Sequence, residues 1–205
     1  MAENFEALPL DKQQRILNAA IEVFAQNEYK RASTDDIAAK AGISKGLLFY
    51  YFKNKKQLYL YTYNYVEEKV TETVTDAHFG EITDLFDLLD YSARKKYGLM
   101  AKYPHILEFA VRTFYAHSDE ISCSLNGNME NAAQSSFAKY CSHIDTSKFR
   151  DDVNPVEIME MLVWMTDGYM HDKQRSGVLD LDLLHRDYKR WSAIFKRIMY
   201  KEEYL

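Results

Sequence analysis

Little in this 205-residue chain is suited to tight turns, disulfides or membranes. Seven glycines and three prolines are too few for the closely spaced turns of a β-sandwich or barrel. The two cysteines, Cys123 and Cys141, lie far apart and form no metal-type pair, so reduced thiols are expected. No apolar run approaches the roughly 18 residues that cross a bilayer. Nor does an apolar stretch follow a basic start, as it would in a secretory leader. A cytoplasmic protein without a membrane partner is the expectation. Also absent are a phosphate-binding glycine loop, an HExxH pair and a Gly-x-Ser-x-Gly elbow. Asp35-Asp36 and Asp151-Asp152 read as a helix first turn and a loop rather than acid–base partners. His78, His105, His117, His143, His171 and His185 have no ligand spacing. Neither an enzyme, nor a cofactor, nor a structural metal is expected.

What is present is a large apolar fraction, 47%, ample for a helical core. Net charge is −5, which taken alone argues against nucleic acid. Its distribution reverses that inference. Residues 9–56 hold nine basic and five acidic side chains, so this segment carries +4 and the remainder −9. A basic head on an acidic body suits a compact DNA reader with a separate function behind it.

The local pattern in that head is specific. Arg15 to Asn27 places Ile16, Ala20, Val23 and Phe24 on one face, with Leu17 and Ile21 alongside, which predicts a long amphipathic helix. Ser33 then caps a short helix whose first turn holds Asp35 and Asp36 and which ends at Gly42. Ile43 follows as a buried plug, and Ser44 caps a second short helix. That helix offers Lys45, Gly46 and Tyr50, then the lysines Lys53, Lys55 and Lys56. Free N–H groups at its start attract phosphate, and the glycine permits close approach. Two short helices joined by Gly-Ile-Ser form a tight helix-turn-helix.

Residues from about Pro9 to Leu60 resemble the DNA-binding domain of the tetracycline-repressor (TetR) family of bacterial transcription regulators. The matching pieces are Arg15-Ile16-Leu17-Asn18-Ala19-Ala20 with Phe24, Ala32-Ser33-Thr34 with Asp36-Ile37-Ala38, and the run from Gly42 to Lys55. The resemblance implies an all-α protein. Residues 1–54 would form the three-helix helix-turn-helix domain, and 55–205 a helical domain for ligand binding and dimerisation. By position, Ser33, Thr34, Ser44, Tyr51 and Lys55 resemble phosphate contacts, and Lys45, Gly46 and Tyr50 base-facing positions. Lys45 would donate to guanine, and Tyr50 would pack on a thymine methyl. Two departures stand out. Asn27-Glu28-Tyr29 replaces the usual glycine before an aromatic, with Asn27 the residue best able to take a left-handed conformation. Leu47 stands where a threonine is frequent, which removes one hydroxyl contact.

Beyond the head the chain reads as helical. Asn54 with Gln57 resembles a capping pair opening a helix from Lys55 to about Ala77. Tyr59, Tyr61, Tyr63 and Tyr65 alternate as in a strand, but their flanks are helical, so Tyr59 and Tyr63 share one face and Tyr61 and Tyr65 another. Further helices are expected over Glu81 to Lys102, from Pro104, from Ser118 with a break at 126–128, from Pro155 to Arg175, and from Leu181 to Tyr200. The last two carry apolar residues on more than one side. Met161, Trp164, Gly168, Tyr188, Trp191, Phe195 and Ile198 are the candidates for a homodimer interface, and the resemblance implies such a pairing.

A regulator of this kind takes an unidentified small-molecule effector. Candidate pocket residues are Tyr61, Tyr65, Phe86, Tyr97, Met100, Tyr103, Phe109, Phe114, Trp164 and Met165. Their aromatic character, in an acidic body, leans toward a flat or cationic ligand. The functional expectation is a repressor released from palindromic operator DNA by that effector. The alternative is a similar DNA-binding protein controlled by a protein partner or acting architecturally.

Overall fold

The computed structural model describes residues 3–115, 142–177 and 180–205, apart from the side chains of Glu3, Phe114, Tyr115, Val163 and Gln174. Cys123, Cys141, His117, the expected helix start at Ser118 and the break at 126–128 lie outside the described residues. The helices are α1 Glu3–Glu6, α2 Leu10–Gln26, α3 Thr34–Ala41, α4 Lys45–Phe52, α5 Lys55–Val74, α6 Leu85–Lys102, α7 Pro104–Tyr115, α8 Pro155–Ser176 and α9 Leu181–Met199. Short 3-10 turns lie at Ala77–Glu81, Thr146–Lys148 and Glu202–Tyr204. Among the described residues, the extended pairing is limited to an isolated antiparallel bridge between Phe149 and Tyr200. None of the described helices is long and apolar enough to cross a membrane.

The chain divides into two compact units, Met1–Lys69 with Tyr103–Leu125 and Val70–Lys102 with Asn126–Leu205. The helix-turn-helix therefore shares a core with the first part of α5 and with α7. In this first unit α2 buries Ile16, Leu17, Ala20, Ile21, Val23 and Phe24. It opens at Leu10 behind Pro9, a turn earlier than its apolar pattern suggests. Its end corrects an expectation. Asn27 is extended (φ −129°, ψ 145°), not left-handed. Both its backbone N–H (3.1 Å) and its side-chain Nδ2 (2.9 Å) donate to the Val23 carbonyl, so the amide caps the helix without positive φ.

α5 begins as expected, with the Gln57 N–H donating to Asn54 Oδ1 at 2.9 Å. It ends at Val74, a little earlier than expected. Tyr59 and Tyr63 are buried. Phe24 meets Tyr59 edge-on at 4.8 Å, and Tyr59 meets Phe109 of α7 at 5.6 Å. Such aromatic pairs add roughly 0.5–1.5 kcal/mol each beyond burial. The Tyr59 hydroxyl lies 2.9 Å from Thr113 Oγ1, and Arg112 Nε donates to the Ala25 carbonyl at 2.6 Å. Polar groups that must be buried here have partners.

In the second unit, the expected helix from Glu81 starts four residues later. Asp84 accepts from the Phe86 (3.0 Å) and Asp87 (3.1 Å) N–H groups and so caps α6 at Leu85. Ile82 consequently precedes the helix, after a 3-10 turn whose cap is Asp76 (Phe79 N–H to Oδ1, 3.2 Å). Leu85, Phe86, Phe149, Met159, Met199 and Tyr200 form the buried core, with Leu89, Ile158, Leu162 and Phe195 packed against it. Asn154 Oδ1 accepts from the Val156 N–H at 3.0 Å at the start of α8. Beyond that helix Gly177 takes φ +71°.

Candidate nucleic-acid interface

The geometry around α3 and α4 follows from three small residues. Ser33 Oγ accepts from the Asp36 N–H and Ser44 Oγ from the Leu47 N–H, each at 3.2 Å. These two side chains cap successive helices. Between them Gly42 takes φ +65°, and its N–H returns to the Ala38 and Ala39 carbonyls. The Ile43 N–H also donates to Ala38, at 3.0 Å. The chain reverses there in one residue, which a side chain at position 42 would resist on conformational grounds alone. Arg15 Nε donates to the Ala41 carbonyl at 2.8 Å, placing a cation at the carbonyl end of α3. Ile37, Ala38, Ala41, Leu48 and Phe52 are buried beneath the pair. Ile43 is only half-buried, because it sits in the turn itself rather than beneath it.

The outward side of α4 carries the expected readers. Ser44, Lys45 and Gly46 are exposed, and Tyr50 is 63% exposed. Ser33 and Thr34 at the start of α3 are half-exposed. Tyr51 is buried to 7%, its ring 5.9 Å from Phe5 and 6.4 Å from Phe52. Phe52 is core, and Phe49 is half-buried with Lys45 Nζ 6.0 Å from its ring. Lys45 Nζ also lies 2.8 Å from Asp35 Oδ2.

Lys55 is placed differently from the other lysines. Its ammonium donates to the carbonyls of Tyr29 (2.7 Å), Lys30 (3.1 Å) and Ala32 (3.1 Å), and stands 4.7 Å over the Tyr29 ring. Three donors meet three protein acceptors. Lys55 thus braces the first residue of α5 against the turn that feeds α3. Lys40 is held by Glu22 at 2.7 Å, and that hydrogen bond keeps the Glu22 carboxyl below its ordinary value.

Three contributions escaped sequence reasoning. Arg15 matched the family pattern, but its partner across α3 carries no periodic signal. Asp35 read as a helix first-turn acid, yet it also holds Lys45 from ten residues away. Lys53 ends α4 with φ +61°, a strained value for a residue with a Cβ, of order 1 kcal/mol, and nothing in its neighbours announces it.

The pocket candidates are distributed over both units. In the first, Tyr61 packs on Phe5 (5.3 Å) and Phe52 (5.4 Å) and lines a surface groove of about 290 Å³ with Tyr51, Lys53, Gln57, Leu60 and Asn64. Phe109 is fully buried, Tyr65 and Tyr103 are half-buried, and the Phe114 side chain lies outside the described residues. In the second, Phe86 packs 5.2 Å from Tyr200, and the Tyr97 hydroxyl donates to Asp182. Met100 and Met165 are half-buried, and Trp164 is 68% exposed. Of the interface candidates, Met161, Trp164, Gly168 and Ile198 are exposed. Tyr188, Trp191 and Phe195 are half-buried within their own unit, Trp191 standing 4.7 Å from Tyr169. Among the described residues no group of three or more His, Cys, Asp and Glu side chains is arranged to hold a metal ion.

Comparison with known proteins falls on the same segment. The sequence profile of the bacterial regulatory proteins of the tetR family matches residues 16–62. The fatty acid metabolism regulator protein of Bacillus subtilis is 40% identical over 47 residues, 23% of this chain and 24% of its own length. The transposon Tn10 TetC protein from Escherichia coli is 35% identical over 83 residues, 40% of this chain and 38% of its own. Each match therefore spans well under half of the relative. The fold likeness reaches further. A TetR-family regulator from Chloroflexus aurantiacus superposes with a TM-score of 0.62 at 20% identity, covering 98% of both chains. The segment that carries both serine caps and the turn glycine is therefore the one that matches the tetR family of bacterial regulatory proteins.

Proposed function

We propose that this protein is a DNA-binding transcriptional regulator that reads duplex DNA with α4, acting as a repressor that a small molecule releases from a palindromic operator. One observation carries the reading. Lys45, Gly46 and Tyr50 stand exposed together on a capped helix whose preceding turn is rigidly set. That helix lies in the basic part of an otherwise acidic chain. Phosphate contacts would come from Ser33, Thr34, Ser44 and the free N–H groups at the two helix starts, with Tyr51 beside them and with Lys55 contributing where a phosphate displaces one of its carbonyl partners. Base readout would come from Lys45 and Tyr50, with Gly46 allowing close approach. Names among the matched relatives, a metabolism regulator above all, support regulation rather than architecture.

The exposed apolar residues Met161, Trp164 and Ile198, joined by Val156 and Ile194, favour a homodimer through α8 and α9. Two-fold symmetry then calls for a palindromic site with half-sites about one helical turn apart. Release requires an effector that binds the DNA-incompetent geometry better than the competent one. Control by a protein partner is the second reading, supported by the burial of the pocket candidates Phe86 and Phe109 as core within their own units.

Selection of duplexes from a randomised pool by the full chain tests the proposal. Expected is enrichment of an inverted repeat, bound in the nanomolar range and weakened steeply by salt. Failure to enrich any duplex, even in dilute buffer, overturns it. Sedimentation of Trp164→Lys against the parent tests the pairing, with a dimer expected to become a monomer.

A further inference from the structure

The amino-terminal turn α1 has no obvious reason to be ordered. Four residues are far too few for a helix to persist in water. Its buried anchor is one side chain. Phe5 is 0% exposed, its ring 4.8 Å from Phe52, 5.3 Å from Tyr61 and 5.9 Å from Tyr51. Two of those rings belong to α4 and one to α5. Backbone and side-chain bonds lock the turn from its other end. The Leu8 N–H donates to the Phe5 carbonyl at 3.1 Å. Gln13 Nε2 on α2 donates to the carbonyls of Glu6 (3.0 Å) and Leu8 (2.8 Å). Asn4 is thereby fixed at the edge of α4, where its Nδ2 donates to the Tyr50 hydroxyl oxygen at 3.1 Å.

Resting on the reading of α4 as the DNA-reading helix, we infer that Asn4 is a positioning residue for base readout, held in place by the Phe5 plug and acting through Tyr50. An exposed tyrosine on a helix otherwise samples several staggered side-chain positions. Here the ring is bounded on one side by Tyr51, 5.5 Å away and edge-on, and at its tip by the Asn4 amide. Donation from Asn4 occupies an acceptor site of the phenol oxygen. The phenol proton is then directed away from the protein. Tyr50 so held is a hydrogen-bond donor facing the groove, matched to acceptor edges: guanine O6 and N7, adenine N7 or thymine O4. The amino-terminal turn thus contributes to sequence choice without touching a base.

The test uses the full chain, a duplex enriched by the wild type from a randomised pool, and a scrambled duplex of equal composition. Affinity for each is measured by fluorescence anisotropy for Asn4→Ala, Tyr50→Phe and the double variant, with the melting temperature of each protein alongside. Asn4→Ala is expected to lower the preference for the selected duplex about three- to tenfold, as loss of one net hydrogen bond predicts. Affinity for the scrambled duplex, its salt dependence and the melting temperature stay at wild type. The double variant loses no more preference than the larger single loss, because both act through one bond. Three results overturn the inference while leaving α4 as the reader: preference unchanged in Asn4→Ala but reduced in Tyr50→Phe, losses that multiply in the double variant, or equal weakening on both duplexes with a lower melting temperature. A wild type that enriches no duplex removes the reading of α4 itself, and the inference with it.

Discussion

Lys45 on α4 reaches back to Asp35 on α3, its Nζ 2.8 Å from Oδ2, so the lysine proposed to read a guanine is engaged by a carboxylate. Both side chains are at least half exposed. A surface pair of this kind contributes about 0–1 kcal/mol to folding. A phosphate or base edge that meets Lys45 would therefore displace Asp35 at little cost. Asp35→Asn is expected to leave the melting temperature within a degree or two and to strengthen binding to any duplex at low salt, since it removes a negative charge near the phosphates. Lys45→Ala should instead lower the preference at the base pair it reads, by about 1–3 kcal/mol. Anisotropy titrations at two salt concentrations separate the two effects. Equal weakening of all sequences by Lys45→Ala would assign the residue to the backbone.

The two glycines that frame this region respond to alanine in opposite ways. Gly42→Ala meets no neighbouring atom, but it forces a Cβ residue to φ +65° at a loss of about 1–2 kcal/mol. Gly46→Ala has no such penalty, and its new Cβ comes no closer than 4.0 Å, to Ser44 Oγ. Helix propensity then makes Gly46→Ala more stable by up to about 1 kcal/mol. If α4 lies against base edges, the same methyl weakens DNA binding. A gain in melting temperature with a loss of affinity is the expected result. Retained affinity would place position 46 away from the groove.

Lys55 combines a family-type position with a structural task. Removing its ammonium leaves the carbonyls of Tyr29, Lys30 and Ala32 short of a donor. Lys55→Ala is expected to destabilise the chain by about 1–3 kcal/mol, the scale of hydrogen bonds to a charged group. Denaturant melts decide it. A variant with wild-type stability but a flatter salt dependence of DNA binding would make the lysine a phosphate contact and nothing more.

In the second unit, Asp84 is 8% exposed and gathers Lys148 Nζ (2.9 Å), Lys196 Nζ (3.7 Å), the Tyr200 hydroxyl (3.2 Å) and two backbone N–H groups. Burial pushes its carboxyl up. The hydrogen bond from Lys148, the Asp87 N–H and the charges of Lys196 and Lys148 more than offset that, leaving it below the ordinary 3.8. Because the folded value is depressed, the stabilisation is present well above pH 3.8 and is lost as pH falls through 3.8 toward the lower folded value. Asp76, drawn down to about 2 by its bonds to Lys95 and Tyr91, adds to the same window. Asp84→Asn should destabilise at neutral pH by on the order of 3 kcal/mol, as breaking a largely buried ion pair does, and flatten the acid limb of stability. An acid profile identical to wild type would rule this out.

The helix-turn-helix was legible residue by residue because its determinants are local. Ser33, Gly42 and Ser44 each act on backbone within three or four positions. Asn154 and Asn54 open their helices for the same reason. Boundaries went astray where the cap was ambiguous: Asp84 rather than Glu81 fixes the start of α6, and the Asn27 side chain replaces a left-handed turn. On α8 the interface candidates Met161 and Trp164 are exposed, while Ile158 and Leu162 pack inward.

Periodicity and capping by themselves determined the helices of the described residues and the turn between α3 and α4, since these depend on neighbours a few residues away; the outward face of α4 followed from the resemblance to the TetR family. Folding decided which charges remain available on that face. Asp35 takes Lys45, three carbonyls take Lys55, and Phe5 brings Asn4 to Tyr50 across 46 positions. Those pairings hold because packed helices bring distant side chains within 3 Å or so, and a one-dimensional pattern carries no trace of such distances.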